Sequence, residues 1–258
     1  MLDRRTFITS NAASVGAIAL CTTASAEGQE AKSSEVNGYN YRLPSFGKAS
    51  RLLFQGDSIT DMQWGRNQQD RNHYLGHSYV FLIAARLGVD MPESQLDIYN
   101  RGISGHTVGD LRDRWQKDAI DIKPDLLSIL IGTNDVGRGV NVDTFESDYR
   151  HILDASKESN PDLRLVLLDP FVLRSGKLKE ENAWKSRRGA TDKLRAVVAT
   201  LAMDYDAVHI HTQDVFDAAA RAVSPEHWIW DGIHPLPQGD ELIARNWIQE
   251  VSARWPQT

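Results

Sequence analysis

Cysteine is nearly missing from this chain: Cys21 is the only one in 258 residues. A disulfide framework is therefore excluded. Lysine and arginine form no block, and 29 of them face 35 acidic residues, for a net charge of −6. That balance gives no footprint for a nucleic-acid backbone, which is excluded as a partner. Internal repeats are absent too. What remains is 41% hydrophobic and 25% charged, ordinary for a globular protein and enough for one ample domain.

The N-terminus has the layout of an export signal. Asp3-Arg4-Arg5-Thr6-Phe7-Ile8 carries twin arginines, a mildly apolar stretch covers 12–20, and Ala24-Ser25-Ala26 supplies small residues for cleavage. Twin arginines before a weakly apolar core point to the twin-arginine route. The apolar stretch is too short to span a bilayer. Cleavage after Ala26, or retention as an anchor, are both left open. A lipid anchor through Cys21 is the lesser alternative, because Leu20 before it is not small. Losing the leader leaves 27 basic and 34 acidic residues, no cysteine, and no segment for stable membrane insertion. The expectation is an exported protein, periplasmic or extracellular, with 1–26 as signal, 27–49 as a polar tether and 50–258 as a single domain.

Within that domain short apolar runs alternate with helical patterns. Strands are expected at 51–55, 96–100, 126–131, 165–168 and 207–210. Helices are expected at 79–87, ended by Gly88, and through Leu111, Trp115 and Ile122 to the Lys123-Pro124 breaker. A third carries Val142, Phe145, Tyr149, Ile152 and Leu153; a fourth covers 192–203; the last carries Ile243, Trp247, Val251 and Trp255. Residues 56–72 read as a long loop. This alternation predicts a doubly wound α/β domain with a five-stranded parallel sheet. Ligands of such sheets bind beyond the carboxyl ends of the strands, and Ser58, Gly102 and Asn134 each lie just past one.

A serine hydroxyl needs an imidazole to take its proton. Of eight histidines, His234 is the best placed, in Trp228-Ile229-Trp230-Asp231-Gly232-Ile233-His234-Pro235 before the last helix. Asp231, three residues earlier, can aim a carboxylate at the far ring nitrogen and fix the tautomer. Acyl transfer also creates an oxyanion. The N–H of Ser58, the N–H of Gly102 and the side-chain amide of Asn134 are the candidate donors. Each piece has a plainer reading as turn or cap; their order and strand-end placement together make the case.

Gly56-Asp57-Ser58-Ile59, Gly102, Gly132-Thr133-Asn134-Asp135 and Asp231-Gly232-Ile233-His234 resemble the four blocks of the SGNH, or GDSL, hydrolases. The resemblance implies a three-layer α/β/α, flavodoxin-like fold, a Ser58–His234–Asp231 triad, an oxyanion hole of Ser58, Gly102 and Asn134, and no metal or other cofactor. G-x-S-x-G is absent, against the α/β-hydrolase arrangement. The connecting text is similar to serine acetylxylan esterases and related carbohydrate O-acetylesterases: Asn100-Arg101-Gly102-Ile103-Ser104-Gly105, Arg114-Trp115-Gln116-Lys117-Asp118, Lys123-Pro124-Asp125 and Asp169-Pro170-Phe171-Val172-Leu173. It implies an esterase removing acetyl from acetylated xylan or xylo-oligosaccharides. The alternatives are a short-chain esterase or lysophospholipase of the same family, and an inactive carbohydrate-binding protein. A homo-oligomer is left open.

Among other residues, Trp64 and Trp230 are candidates to line the substrate site. Ser104 competes as nucleophile but suits a shaping role in the loop. His73 and His77, or His227 with Asp231 and His234, could be drawn as metal sites, but lack a third ligand or leave Ser58 idle. His209 and His211 share one strand face, where a structural role is expected.

Overall fold

In the computed structural model, residues 33–34 and 41–257 are described. The expected leader, Cys21 and about half of the expected tether lie outside them. Two-residue strands β1 (Ser33–Ser34) and β2 (Tyr41–Arg42) pair antiparallel. The main sheet consists of β3 (Arg51–Gly56), β4 (Asp97–Asn100), β5 (Leu126–Leu130), β6 (Arg164–Leu168) and β7 (Val208–Ile210). All its pairs are parallel, in the order β4-β3-β5-β6-β7. The order reverses at β3, so its carboxyl end, flanked by those of β4 and β5, opens the crevice where ligands of such sheets bind.

Side chains alternate across the strands. Leu52, Phe54, Leu126, Leu130, Val166 and Leu168 face one core, closed by α2 (Tyr79–Asp90) and α10 (Pro237–Arg254). Leu53, Leu127, Ile129, Leu165 and Leu167 face the other. That second core is closed by α3 (Val108–Asp113), α4 (Trp115–Asp118), α6 (Val142–Ser159) and α7 (Glu181–Asp204). Helices on both faces make the expected three layers. Trp247 packs against Phe54 with ring centres 5.4 Å apart and donates to Ser128 Oγ at 3.0 Å, which satisfies a hydroxyl buried mid-strand.

Several boundaries differ from the sequence expectation. The helix from Tyr79 runs through Gly88 to Asp90, because Gly88 faces open space and nothing there demands a turn. The expected helix through Leu111, Trp115 and Ile122 breaks at Arg114 into α3, α4 and a 3₁₀ turn. The helix expected at 192–203 starts at Glu181, where Glu180 caps it; its first turns face solvent and show no apolar period. Four short helices were not anticipated: α1 (Ser58–Asp61), α5 (Thr133–Arg138), α8 (Thr212–Ala222) and α9 (Pro225–Trp228). Residues 43–46, given to the tether by composition, pack here. Leu43 is buried, and main-chain bonds tie Ser45 to Trp255 and Gln257 to Leu43. Among the described residues no helix is long and apolar enough to cross a membrane.

Candidate active site

β3 delivers the Gly56-Asp57-Ser58 turn. Asp57 is buried and accepts the Ile59 N–H at 3.0 Å, capping α1, so Ser58 becomes its first residue. Burial pushes the Asp57 carboxyl up to about 7, against the pull of the Ile59 N–H and of His234. The opposite partner comes from 229–236. An Ile229–Pro235 bridge and a Leu236 N–H bond to the Trp228 carbonyl fold that loop back on itself. Leu173 N–H on the Gly232 carbonyl and Ser175 Oγ on the Ile229 carbonyl hold it against 170–178.

Ser58 Oγ lies 2.8 Å from His234 Nε2, and His234 Nδ1 lies 2.7 Å from Asp231 Oδ2. The other Asp231 oxygen accepts the N–H groups of Ile233 at 2.9 Å and His234 at 2.7 Å. Partial burial alone would raise the Asp231 carboxyl; the bonds from His234's ring and from these two N–H groups outweigh it and hold the group below the usual carboxylate range. It is therefore an anion at neutral pH, and an anion there keeps the ring proton on Nδ1. Nε2 is then left as an acceptor facing the serine. Such an array can move a proton from hydroxyl to imidazole and stabilise the resulting cation.

The expected oxyanion donors separate into two groups. Asn134 Nδ2 gives one hydrogen to the His106 carbonyl at 3.0 Å, which ties its loop to 102–106 and leaves its second hydrogen free. The Ser58 N–H meets no acceptor among the described residues. Gly102 differs. Its N–H already donates to Asn100 Oδ1 at 2.9 Å, and a Cβ there would come within 2.4 Å of the Asp61 nitrogen. Its missing side chain lets the loop pack on α1, not on a substrate. Within the same loop it is Gly105, three positions on and with φ +85°, whose N–H meets no acceptor among the described residues.

Trp64 is not lining either. It is buried, its Nε1 donates to the Gly102 carbonyl at 2.8 Å, and the guanidinium carbons of Arg66 and Arg101 lie 4.8 and 4.7 Å from its ring centre. Trp230, beside Asp231, is 60% exposed and free to meet a ligand. Ser104 is pinned: its Oγ and N–H both donate to Asp61 Oδ2, which Arg66 also pairs at 2.7 Å. Sequence reasoning passed over Asn100. Fully buried, it donates to the Thr60 and Leu75 carbonyls at 2.7 and 2.8 Å while accepting from Gly102, so one amide fastens α1 to the 100–105 loop. An asparagine ending a buried strand was its only signal. Neither His73 with His77 nor His227 with Asp231 and His234 gathers ligand atoms around one point; among the described residues only Asp169, His209 and His211 do.

Comparison with known proteins gives this geometry a setting. Residues 54–242 match the GDSL-like lipase/acylhydrolase family. The chain is 32% identical to an acetylxylan esterase from Geobacillus stearothermophilus over 221 residues, 81% of this chain and 97% of that one. The crystal structure of Axe2, an acetylxylan esterase from the same organism, superposes with a TM-score of 0.70 at 31% identity, covering 82% of this chain and 98% of Axe2. Axe2 variants described as catalytic mutants replace a serine, an aspartate and, three residues after the aspartate, a histidine. A structure described as a GDSL-like lipase from Parabacteroides merdae superposes with a TM-score of 0.76 at 35% identity, over 81% of this chain and 99% of the other.

Proposed function

Because the chain belongs to the GDSL-like lipase/acylhydrolase family and is a carboxylic ester hydrolase of it, we propose that it is exported and removes acetyl groups from carbohydrate, with acetylated xylan or xylo-oligosaccharides as substrate. The observation that carries the reading is the unbroken chain from Ser58 through His234 to Asp231, at 2.8 and 2.7 Å, on the rim where sheets of this kind bind ligands. Similarity to acetylxylan esterases supports the acyl group and the sugar. The twin-arginine leader supports export.

In the mechanism proposed, His234 Nε2 takes the Ser58 proton as Oγ attacks the ester carbonyl. The oxyanion is met by the Ser58 N–H, the free Asn134 amide hydrogen and the Gly105 N–H, the last in place of the Gly102 N–H that Asn100 takes up. His234 then hands its proton to the departing sugar oxygen, leaving acetyl on Ser58. A water molecule gives its proton to Nε2 and attacks the acyl carbon. Acetate leaves as the proton returns to Oγ. No step calls for a cofactor. Trp230 offers a flat apolar face for a sugar ring at the edge of this site.

Acetate release from acetylated xylo-oligosaccharides, run beside a lysophospholipid and p-nitrophenyl acetate, tests the substrate. Preference for the lysophospholipid would overturn it. Fluorophosphonate labelling of wild type but not of Ser58→Ala tests the nucleophile. An Arg4→Lys, Arg5→Lys double variant is expected to stay in the cytoplasm, and unchanged export would overturn the twin-arginine route.

A further inference from the structure

At the sheet edge formed by β7, three strand spacings from β3 and so about 14 Å away, stands a group of side chains with no part in ester hydrolysis. Asp169 directly follows β6, His209 is in β7, and His211 directly follows it. Pairing of Leu168 with Ile210 brings them level, and the Asp169 N–H donates to the Ile210 carbonyl at 3.0 Å. One Asp169 oxygen lies 2.7 Å from His209 Nε2, the other 3.9 Å from His211 Nδ1. The three ligand atoms all lie within 4.8 Å of one another, and the two imidazole rings are 4.0 Å apart.

A hydrogen bond to a buried carboxylate accounts for His209. It does not account for His211: 3.9 Å is too long for a hydrogen bond, yet its ring is drawn over its neighbour with 59% of the side chain exposed. Two ligands on a tetrahedral ion with bonds of about 2.1 Å stand about 3.4 Å apart. The spacings here bracket that value, so small side-chain movements close the shell. We infer that Asp169, His209 and His211 bind a borderline transition-metal cation, zinc or nickel, with solvent completing the coordination on the exposed side.

Arg195 is the obvious objection, since its Nε pairs with Asp169 at 3.1 Å. That guanidinium also holds Asp192 at 2.9 Å and Asp214 at 2.8 Å, so it keeps two anions when Asp169 turns to a metal. Arg188 is shared between Asp192 and Asp217. Four carboxylates thus face two guanidiniums. The neighbourhood carries a net −2 that a divalent cation neutralises.

The test is calorimetric titration of zinc chloride into the untagged, chelator-stripped protein, alongside His211→Ala and His209→Ala. One zinc per chain is expected, weakened about tenfold or more in either variant, with a zinc-dependent rise in Tm that both variants lose. His211 is exposed, so its variant folds; Cys21 is common to all three proteins and cancels. No binding at about 1 mM zinc, or equal affinity in wild type and His211→Ala, overturns the inference. Neither readout involves turnover, so failure of the metal site and failure of the esterase reading are told apart.

Discussion

Replacing Asp231 by asparagine separates what this carboxylate does for chemistry from what it does for the loop. One oxygen, Oδ1, accepts two main-chain N–H groups; the other, Oδ2, faces the ring. Asparagine can keep its carbonyl on the main chain, and its amide nitrogen then stands where Oδ2 stood. An N–H aimed at Nδ1 forces that nitrogen to accept, so the ring proton moves to Nε2. Nε2 then points a hydrogen at Ser58 Oγ and can no longer take one. The loss expected is ~10⁴ in kcat, or about 5 kcal/mol, with little change in Tm. Alanine at the same position should lose a comparable amount of activity, but also two main-chain hydrogen bonds, at about 0.5–1.5 kcal/mol each. Initial rates on p-nitrophenyl acetate, fluorophosphonate labelling rates and thermal melts of the three proteins make the comparison. An asparagine variant within tenfold of wild type would refute the assignment, and so would one as unstable as the alanine variant.

Asn134→Ala removes one oxyanion donor and should lower kcat by about 10²–10³ with KM little altered; a change confined to KM would place the amide on the ground-state substrate instead. Gly102→Ala should cost about 1–3 kcal/mol in a denaturant melt, because its Cβ meets main chain that cannot yield, and an unaffected melt would contradict the packing. Trp230→Ala should raise KM for acetylated oligosaccharides while leaving p-nitrophenyl acetate turnover and Tm alone; equal effects on both substrates would remove it from the sugar site. Burial raises Asp57 to about 7, Asp135 to about 6 and Asp240 to about 8, with desolvation the main cause in each. The folded state therefore holds protons that the unfolded chain has released, so stability should fall from pH 5 to pH 8.5. The slope is at most about 1.4 kcal/mol per pH unit for each group. Asp240→Asn, which still accepts the Tyr79 N–H, should flatten that fall, and a wild-type Tm that is constant or rises over the window would show these carboxyls to be ionised in the folded protein.

The central strands β3, β5 and β6 were legible because a strand covered on both faces has to be apolar along most of its length. The edge strands β4 and β7 show only alternation, Ile98 and Asn100 in one and Val208 and Ile210 in the other being buried. Helices were legible only where they bury a stripe. The first turns of α7 face solvent and are held by the Glu180 cap on the Asn182 and Ala183 N–H groups, and α5 is a six-residue helix that buries only Thr133 and Asp135 and packs Val136 on the core. None of these leaves an apolar period. Arg114 shows the converse. Leu111, Trp115 and Ile122 do fall on one apolar side, but Arg114 turns to bond His106 and Asp118, and the helix breaks there. Periodicity records which residues are buried, not whether the backbone between them is continuous.

Ser58, Asp231 and His234 could be picked out because their chemistry needs particular side chains, and side chains are what a sequence spells. The oxyanion donors are partly main chain, which every residue has, so the choice among glycines fell to the one nearest the strand end. A glycine is demanded equally by a substrate and by a neighbouring helix. At Gly102 the neighbour is Asp61 on α1, and Asn100 takes up its N–H. Once that N–H is spoken for, the donor has to come from further along the turn, where φ +85° at Gly105 carries the loop past α1 and leaves an N–H without an acceptor among the described residues. An Asn100→Ala variant makes the point testable. With its buried amide gone, Gly102 N–H is released but the 100–105 loop loses its tie to α1, so kcat should fall although a potential donor has been freed. Were Gly102 itself the oxyanion donor, freeing its N–H would leave kcat unchanged or raise it.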